Sequence, residues 1–169
     1  MSKRIVLVGG GSGGHVFPLI AVAEALHIAD PNVELMMLGN GPFIAGVATK
    51  VGLQMMGGCC RALWMLVADM PDVMFTKGGY ASVMPALVAK LYMIPVYTHE
   101  SDSVPGLANK FISKLAITVF TSFESTAKYF SAGKAVLVGN PVRPELLTGD
   151  KAAALQQFNF RADKKIILI

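Results

Sequence analysis

IVLVGGGSGGHVFP, residues 5–18, is the stretch on which the reading of this chain turns. Ile5–Val8 is an apolar run of strand length. Five of the six residues Gly9–Gly14 are glycine, and His15 then opens a helical pattern that is clearest over Leu19–Ala29. A strand, a glycine turn and a helix form the first half of a βαβ unit. Glycines let a backbone approach a ligand closely, and the free N–H groups at a helix start attract anions. Ligands of open α/β sheets gather at the carboxyl ends of the strands, and Gly9–Gly14 lies at such an end.

Outward from this loop the same alternation continues. Strand candidates are Val33–Leu38, Val73–Phe75, Pro95–Thr98, Ile117–Thr121 and Ala135–Val138. Helical patterns fall at Ile44–Val51, Ala62–Ala68, Ser82–Leu91, Leu107–Leu115 and Ser125–Phe130. Near-continuous apolar strands alternating with helices predict an α/β fold, a Rossmann-like doubly wound parallel sheet covered on both faces. Pro42 is placed to open a helix, and Pro71 and Pro95 punctuate returns to strand. The run LQMMGGCC, Leu53–Cys60, leaves little room between a third strand and the next helix. At the other end KKIILI, Lys164–Ile169, reads as a charged start and a buried strand, the threshold of a further domain. The expected organisation is a first domain over 1–147, a linker over 148–163 and the start of a second domain over 164–169.

Composition narrows the class. The 169 residues are 53% apolar and 15% charged, enough for one domain with a substantial core. The net charge of +4 is spread along the chain without the concentrated basic stripe that nucleic acid requires, so no nucleic-acid partner is expected. Cys59 and Cys60 are adjacent; they make no disulfide framework and lack metal-ligand spacing, so a reducing compartment fits and no metal or cofactor is expected. No charged leader with an apolar stretch and cleavage site precedes Ile5, and no apolar run is long enough to span a bilayer. A soluble or peripheral protein is expected.

The glycine loop admits several motif readings. Gly9, Gly11 and Gly14 match the dinucleotide fingerprint G-x-G-x-x-G, but that motif wants an acidic residue at the end of the second strand, where Leu38-Gly39-Asn40 stands. Gly10–Gly14 also matches G-x-S-x-G with Ser12 as nucleophile, yet that elbow needs preceding sequence for its oxyanion hole and the loop follows the first strand. A Walker loop is excluded, since His15 and Val16 stand where Lys-Ser/Thr is required.

The wider constellation decides among them. GGGSGGHVFP, KGGYAS (Lys77–Ser82), HESDSVPGLANK (His99–Lys110) and GNPVR (Gly139–Arg143) occur in this order at strand ends. Together, from Ile5 to about Leu147, they resemble the N-terminal domain of the MurG-type glycosyltransferases of family 28. The resemblance implies the N-terminal half of a GT-B glycosyltransferase, two Rossmann-like domains facing a cleft. It implies inverting transfer of N-acetylglucosamine from UDP-N-acetylglucosamine to the C4 hydroxyl of undecaprenyl-diphospho-muramoyl pentapeptide, a step of peptidoglycan synthesis. This chain would supply the acceptor half, and a C-terminal domain would hold most of the nucleotide. The alternatives are a non-catalytic acceptor-binding subunit of a split transferase and an NAD-binding Rossmann protein.

On this resemblance Ser12, Gly13 and Gly14 meet the sugar and phosphates of the donor, or cradle the diphosphate of the acceptor. His15 takes the proton from the attacking hydroxyl; an imidazole at a helix start is a suitable base near neutral pH. Tyr80, after Gly78 and Gly79, stacks on or hydrogen-bonds the acceptor sugar. In His99-Glu100-Ser101-Asp102 the family usually has Gln and Asn at the last two places, so Asp102 stands where an asparagine contacts the donor sugar. A carboxylate accepts from sugar hydroxyls but cannot donate as an amide does. Glu100 is an acceptor ligand, an orienter or a second candidate base. Asn109 and Lys110 match the family's own Asn-Lys, binding or bracing the following helix. Arg143 offers a fork to phosphate or sugar oxygens.

A polyprenyl acceptor places the enzyme at the cytoplasmic membrane surface, peripheral to the bacterial plasma membrane. Residues 43–68 carry no acidic residue, two basic ones (Lys50, Arg61) and Trp64 beside Met65. That pattern fits interfacial contact through an aromatic anchor, but a helix packed into the core is the favoured expectation. The family has a longer segment here than this chain does.

Overall fold

The structure, a computed structural model, describes residues 2–10, 13–39, 54–56 and 59–167, with residues 54–56 and 59–63 described by their backbone alone. Among these, seven strands form one sheet: β1 Arg4–Val8, β2 Glu34–Leu38, β3 Gln54–Met56, β4 Val73–Thr76, β5 Val96–Glu100, β6 Thr118–Thr121 and β7 Ala135–Leu137. Their spatial order is β3-β2-β1-β4-β5-β6-β7 and every pairing is parallel. The helices are α1 Gly13–Ala29, α2 Cys59–Asp69, α3 Val83–Leu91, α4 Leu107–Leu115 and α5 Lys151–Gln157, with 3₁₀ turns at Tyr80–Ser82, Glu124–Tyr129 and Pro144–Leu147.

The two-residue period of each strand sorts its side chains to the two faces. Val6, Val8, Met36, Leu38, Met74 and Val96 pack with Met65 and Leu66 of α2, Ala86 and Ala89 of α3, and Ile112 of α4. The intervening Leu7 and Met37 pack on the opposite face with Val16, Leu19, Ile20 and Ala23 of α1. The sheet is therefore doubly wound, as the alternation predicted. Fully burying a side chain such as Leu7 or Leu19 stabilises by about 1.5–3 kcal/mol, so the two clusters fix strand order and register together.

Four local features differ from the sequence reading. α1 begins at Gly13, six residues before the clear periodicity at Leu19, because Gly13, Gly14 and Pro18 mask the pattern although the backbone is already helical. The 3₁₀ turn Glu124–Tyr129 stands where a helix over Ser125–Phe130 was expected. The expected linker contains α5, whose first turn is capped by Asp150 Oδ1 accepting from the N–H groups of Ala152 (2.8 Å) and Ala153 (3.2 Å). Lys165–Ile167, where a buried strand was expected, pair with no strand and are exposed. A strand is defined by its neighbours, and none lies beside this segment among the described residues. The helix expected over Ile44–Val51 falls outside the described residues.

Strand order reverses between β1 and β4: β2 and β3 continue one way, β5 to β7 the other. This switch point opens a crevice at the carboxyl ends, bounded by the loops after β1 and β4.

Candidate functional site

The loop after β1 carries the chain through Gly9 and Gly10 into α1. A Cβ on Gly9 would touch the His15 carbonyl at 3.6 Å and press on the end of the Leu19 side chain, so a larger residue there would require Leu19 to shift. His15 is half-buried in the first turn of α1. Its Nε2 faces the loop after β4, 3.9 Å from where a Cβ on Gly79 would sit. Gly78 and Gly79 both have positive φ, 84° and 88°, and Tyr80 follows them into the 3₁₀ turn, 87% exposed. His15 and the Gly78–Tyr80 loop are thus neighbours across the crevice, and Tyr80 is presented to solvent.

A groove of about 250 Å³ opens beside the start of α1. One wall is Gly13, Gly14, Phe17 and Pro18; the other is Asn140, Pro141, Val142 and Arg143. Pro18 has no N–H to give the Gly14 carbonyl. The Arg143 guanidinium carbon lies 4.8 Å from the centre of the Phe17 ring, a cation–π contact. Its Nε is buried and has no hydrogen-bond partner among the described residues. A guanidinium with an unused donor, beside helix N–H groups, is an arrangement that accepts an anion.

Two polar networks occupy the strand ends, one on each face, because His99 and Glu100 are adjacent on β5. On the α1 face Lys77, 1% exposed, donates from Nζ to His99 Nδ1 (2.8 Å), to Asn140 Oδ1 (3.2 Å) and to Ser101 Oγ. His99 Nε2 lies 2.8 Å from the Gly139 carbonyl, so that nitrogen carries the proton and Nδ1 accepts. Burial lowers the Lys77 pKa to about 8, with Glu100 and Asp102 opposing the shift. Burial also lowers His99 to about 4; the Gly139 carbonyl acts in the raising direction and the nearby Lys77 charge in the lowering one.

On the other face Glu100, 3% exposed, accepts from the N–H of Asp102 (2.9 Å) at Oε1, and from the N–H of Gly106 (3.3 Å) and Asn109 Nδ2 (2.9 Å) at Oε2. Asn109 Nδ2 also donates to the His99 carbonyl (3.3 Å), and Asn109 Oδ1 accepts from Thr98 Oγ1 (3.1 Å).

These contacts bear on two of the expected residues. For Glu100 they match the orienter among its expected roles: both its oxygens are engaged by the loop over residues 101–106 and by α4. Asn109 is no wall of the groove; it is 5% exposed and braces α4 against β5, the second of its two expected roles. Asp102 is exposed, its carbonyl accepting from Thr126 Oγ1 (3.0 Å). Gly13, Gly14 and Arg143 come together in the groove, with His15 and Tyr80 alongside; Ser12 lies outside the described residues. The sequence reading assigned no role to Lys77, His99, Phe17 or Asn140. A lysine directly after an apolar strand and before two glycines was a legible signal for a buried cation; the partners of Asn140 had none.

The sequence matches the N-terminal domain of glycosyltransferase family 28 over residues 5–56 and 49–121. The chain belongs to this family. The two matched stretches meet at residues 49–56, next to the segment that the sequence reading found short for the family. A relative from Lachnospira eligens, named UDP-N-acetylglucosamine–N-acetylmuramyl-(pentapeptide) pyrophosphoryl-undecaprenol N-acetylglucosamine transferase, is 38% identical over 191 residues, covering 99% of this chain and 53% of its own length. One of the same name from Thermodesulfovibrio yellowstonii is 34% identical, covering 98% and 52%. The chain thus spans about half the length of the curated relatives it matches. Among solved structures it resembles the Acinetobacter baumannii MurG with a TM-score of 0.70 at 23% identity, covering 83% of this chain and 46% of that one. It also resembles the UDP-N-acetylglucosamine 2-epimerase of Rickettsia bellii with a TM-score of 0.69 at 14% identity, covering 95% and 52%. At these identities the structural likenesses establish the family 28 domain's fold alone.

Proposed function

We propose that this chain is the acceptor half of an inverting N-acetylglucosaminyltransferase acting on a lipid-linked, diphosphate-bearing muramoyl pentapeptide, with UDP-N-acetylglucosamine as donor. The observation that carries the reading is the groove, where the start of α1 and Arg143 converge at the carboxyl end of a switched parallel sheet. A diphosphate matches this chemistry: several oxygens, high negative charge and room for two bridging contacts. The relatives' names supply the transfer and both substrates.

In the transfer the C4 hydroxyl of the muramoyl sugar attacks the anomeric carbon of the donor. The C–O bond to UDP breaks, configuration inverts, and UDP leaves with the bonding pair. His15 accepts the hydroxyl proton, acting from beside the groove, and Tyr80 offers its ring and hydroxyl to the acceptor sugar. Glu100 and Asn109 hold the 101–106 loop so that Asp102 reaches the donor's sugar. The other wall of the cleft belongs to a C-terminal nucleotide-binding half, which makes the chain alone incompetent for turnover: positioning of reactants is worth about 7–11 kcal/mol of barrier.

A surface on the opposite side of the sheet supports contact with the cytoplasmic membrane face. Trp64 of α2 is 67% exposed, so the anchor reading is preferred to core packing, while its neighbour Met65 is buried. Met84, Leu87 and Leu91 line up along α3, and Leu107 and Phe111 stand out on α4. These two helices carry Lys90, Lys110 and Lys114 and no acidic residue. Apolar side chains flanked by lysines suit an anionic lipid surface. No helix among the described residues is long and apolar enough to cross a membrane.

The test is radiolabelled sugar transfer to a short-chain lipid-linked acceptor. The 169-residue chain alone should be inactive, and the chain joined to the C-terminal half of the Lachnospira eligens relative should transfer. His15→Ala should lower that rate by about 10²–10⁴. Full activity of His15→Ala would remove His15 as base, and saturable NAD binding without response to the acceptor would replace the transferase reading.

A further inference from the structure

Lys77 has no part in the transfer step, yet it is the most enclosed charged side chain of the region. Its ammonium meets three acceptors, none of them a carboxylate: His99 Nδ1, Ser101 Oγ and Asn140 Oδ1. An enclosed cation without a contacting counter-ion is costly unless every hydrogen is bonded. Here three hydrogens meet three acceptors. Those acceptors belong to β5, to the loop after it and to the turn after β7, so one side chain reaches from β4 across two strands.

The turn after β7 has little else to hold it. Val138 and Gly139 donate their N–H groups to the Thr121 carbonyl at 3.0 and 3.2 Å. Among the described residues no further backbone hydrogen bond to the sheet is made by residues 140–143; the next bond, from Leu146 to the Arg143 carbonyl, is internal to the 3₁₀ turn. What fixes this wall of the groove is therefore side-chain chemistry. His99 bonds the Gly139 carbonyl, Lys77 and Ser101 (3.4 Å) bond Asn140 Oδ1, and Arg143 rests on Phe17.

We propose that Lys77 is a positioning residue for the transfer reaction: by pinning Asn140 it sets the Arg143 wall of the groove against the Gly13–Phe17 wall, at the width a diphosphate requires. The ligand half of this statement rests on the reading of the groove given above; the pinning half does not. A methionine at 77 would have nearly the length of lysine with no hydrogen to give, so Asn140 would keep only the long Ser101 contact (3.4 Å) while the site stays filled.

The experiment uses the 169-residue chain and two readouts. Amide hydrogen exchange is followed at Val138 and Gly139, with Val6 and Leu7 of β1 as internal controls. In Lys77→Met and in Asn140→Ala the first pair should exchange at least tenfold faster with the controls unchanged. The second readout is calorimetric titration with inorganic pyrophosphate. Each single variant should bind about tenfold more weakly, the scale of one lost charge-assisted hydrogen bond, and the double variant no more weakly than either. That non-additivity separates pinning through Asn140 from a direct field of the lysine charge, which would weaken binding equally with Asn140 absent. Unchanged exchange at Val138 and Gly139, or additive losses in the double variant, overturns the proposal. Should Lys77→Met not fold, Asn140→Ala keeps the buried lysine and carries the exchange test by itself, with unchanged exchange again overturning it. If the wild-type chain takes up no pyrophosphate while Lys77→Met still frees the turn, the diphosphate reading falls and the pinning stands.

Discussion

Replacing Gly78 by alanine isolates what holds the loop after β4. Gly78 has φ 84°, and a Cβ there would overlap the whole side-chain amide of Asn109, lying 2.6 Å from Nδ2. The backbone cannot easily step aside: the Gly78 N–H donates to Thr76 Oγ1 (2.9 Å), and the Gly78 carbonyl accepts from Ser82 Oγ (2.8 Å). Gly133 is the natural control, with φ 78° and nothing within 4 Å of its would-be Cβ. Left-handed backbone costs an alanine about 1–2 kcal/mol at either place. Overpacking adds about 1–3 kcal/mol at Gly78 alone. If Asn109 yields instead, Glu100 and Thr98 lose a buried partner, at about 1–3 kcal/mol. Gly78→Ala should therefore cost about 1–3 kcal/mol more than Gly133→Ala, about 2–12 °C in Tm at about 2–4 °C per kcal/mol. Urea denaturation followed by far-UV circular dichroism measures both. Removing the amide as well, in Gly78→Ala/Asn109→Gly, should give back part of the loss as non-additivity. Equal losses at the two glycines would refute the close packing of Asn109 on this loop.

Further outcomes follow from the polar networks and the helix ends. Folding disfavours protonation of both His99 and Lys77, so the unfolded chain binds more protons between the shifted and ordinary values. Stability should thus rise with pH through about 4–6.5 from His99, and again through about 8–10.5 from Lys77; a Lys77→Met chain that keeps the alkaline rise in urea midpoints would contradict the second. Lys134 Nζ caps the end of α4 through the carbonyls of Ser113 (3.1 Å) and Ala116 (2.9 Å), so Lys134→Met should lower unfolding free energy by about 1–2 kcal/mol, and an unchanged Tm would show the cap to be idle. Trp64→Ala should weaken sedimentation with vesicles of phosphatidylglycerol while leaving Tm within about 2 °C, since an exposed side chain holds little of the core; unchanged binding would remove that residue from the membrane surface.

How much of this was written in the sequence differs from element to element. β1, β2, β4, β5 and β6 were legible because buried parallel strands are nearly continuous apolar runs, and α4 because its apolar period is clean from Leu107 to Leu115. The start of α1 was hidden by two glycines and a proline, whose local preferences oppose a helix that packing on Leu7 and Met37 nevertheless completes. The motifs named the loops that gather at the switch point, and with them His15, Tyr80 and Arg143. Motif order could not say which face of a strand end a side chain would take. His99 and Glu100 are neighbours in sequence, yet the pleat sends one to the groove side with Lys77 and the other to α4 with Asn109. A carboxylate read along the chain is a candidate base; enclosed by two N–H groups and an amide it is a brace. Burial and partnership are properties of residues brought together from 22 and 63 positions away, as Lys77 is to His99 and Asn140, and only tertiary structure supplies them.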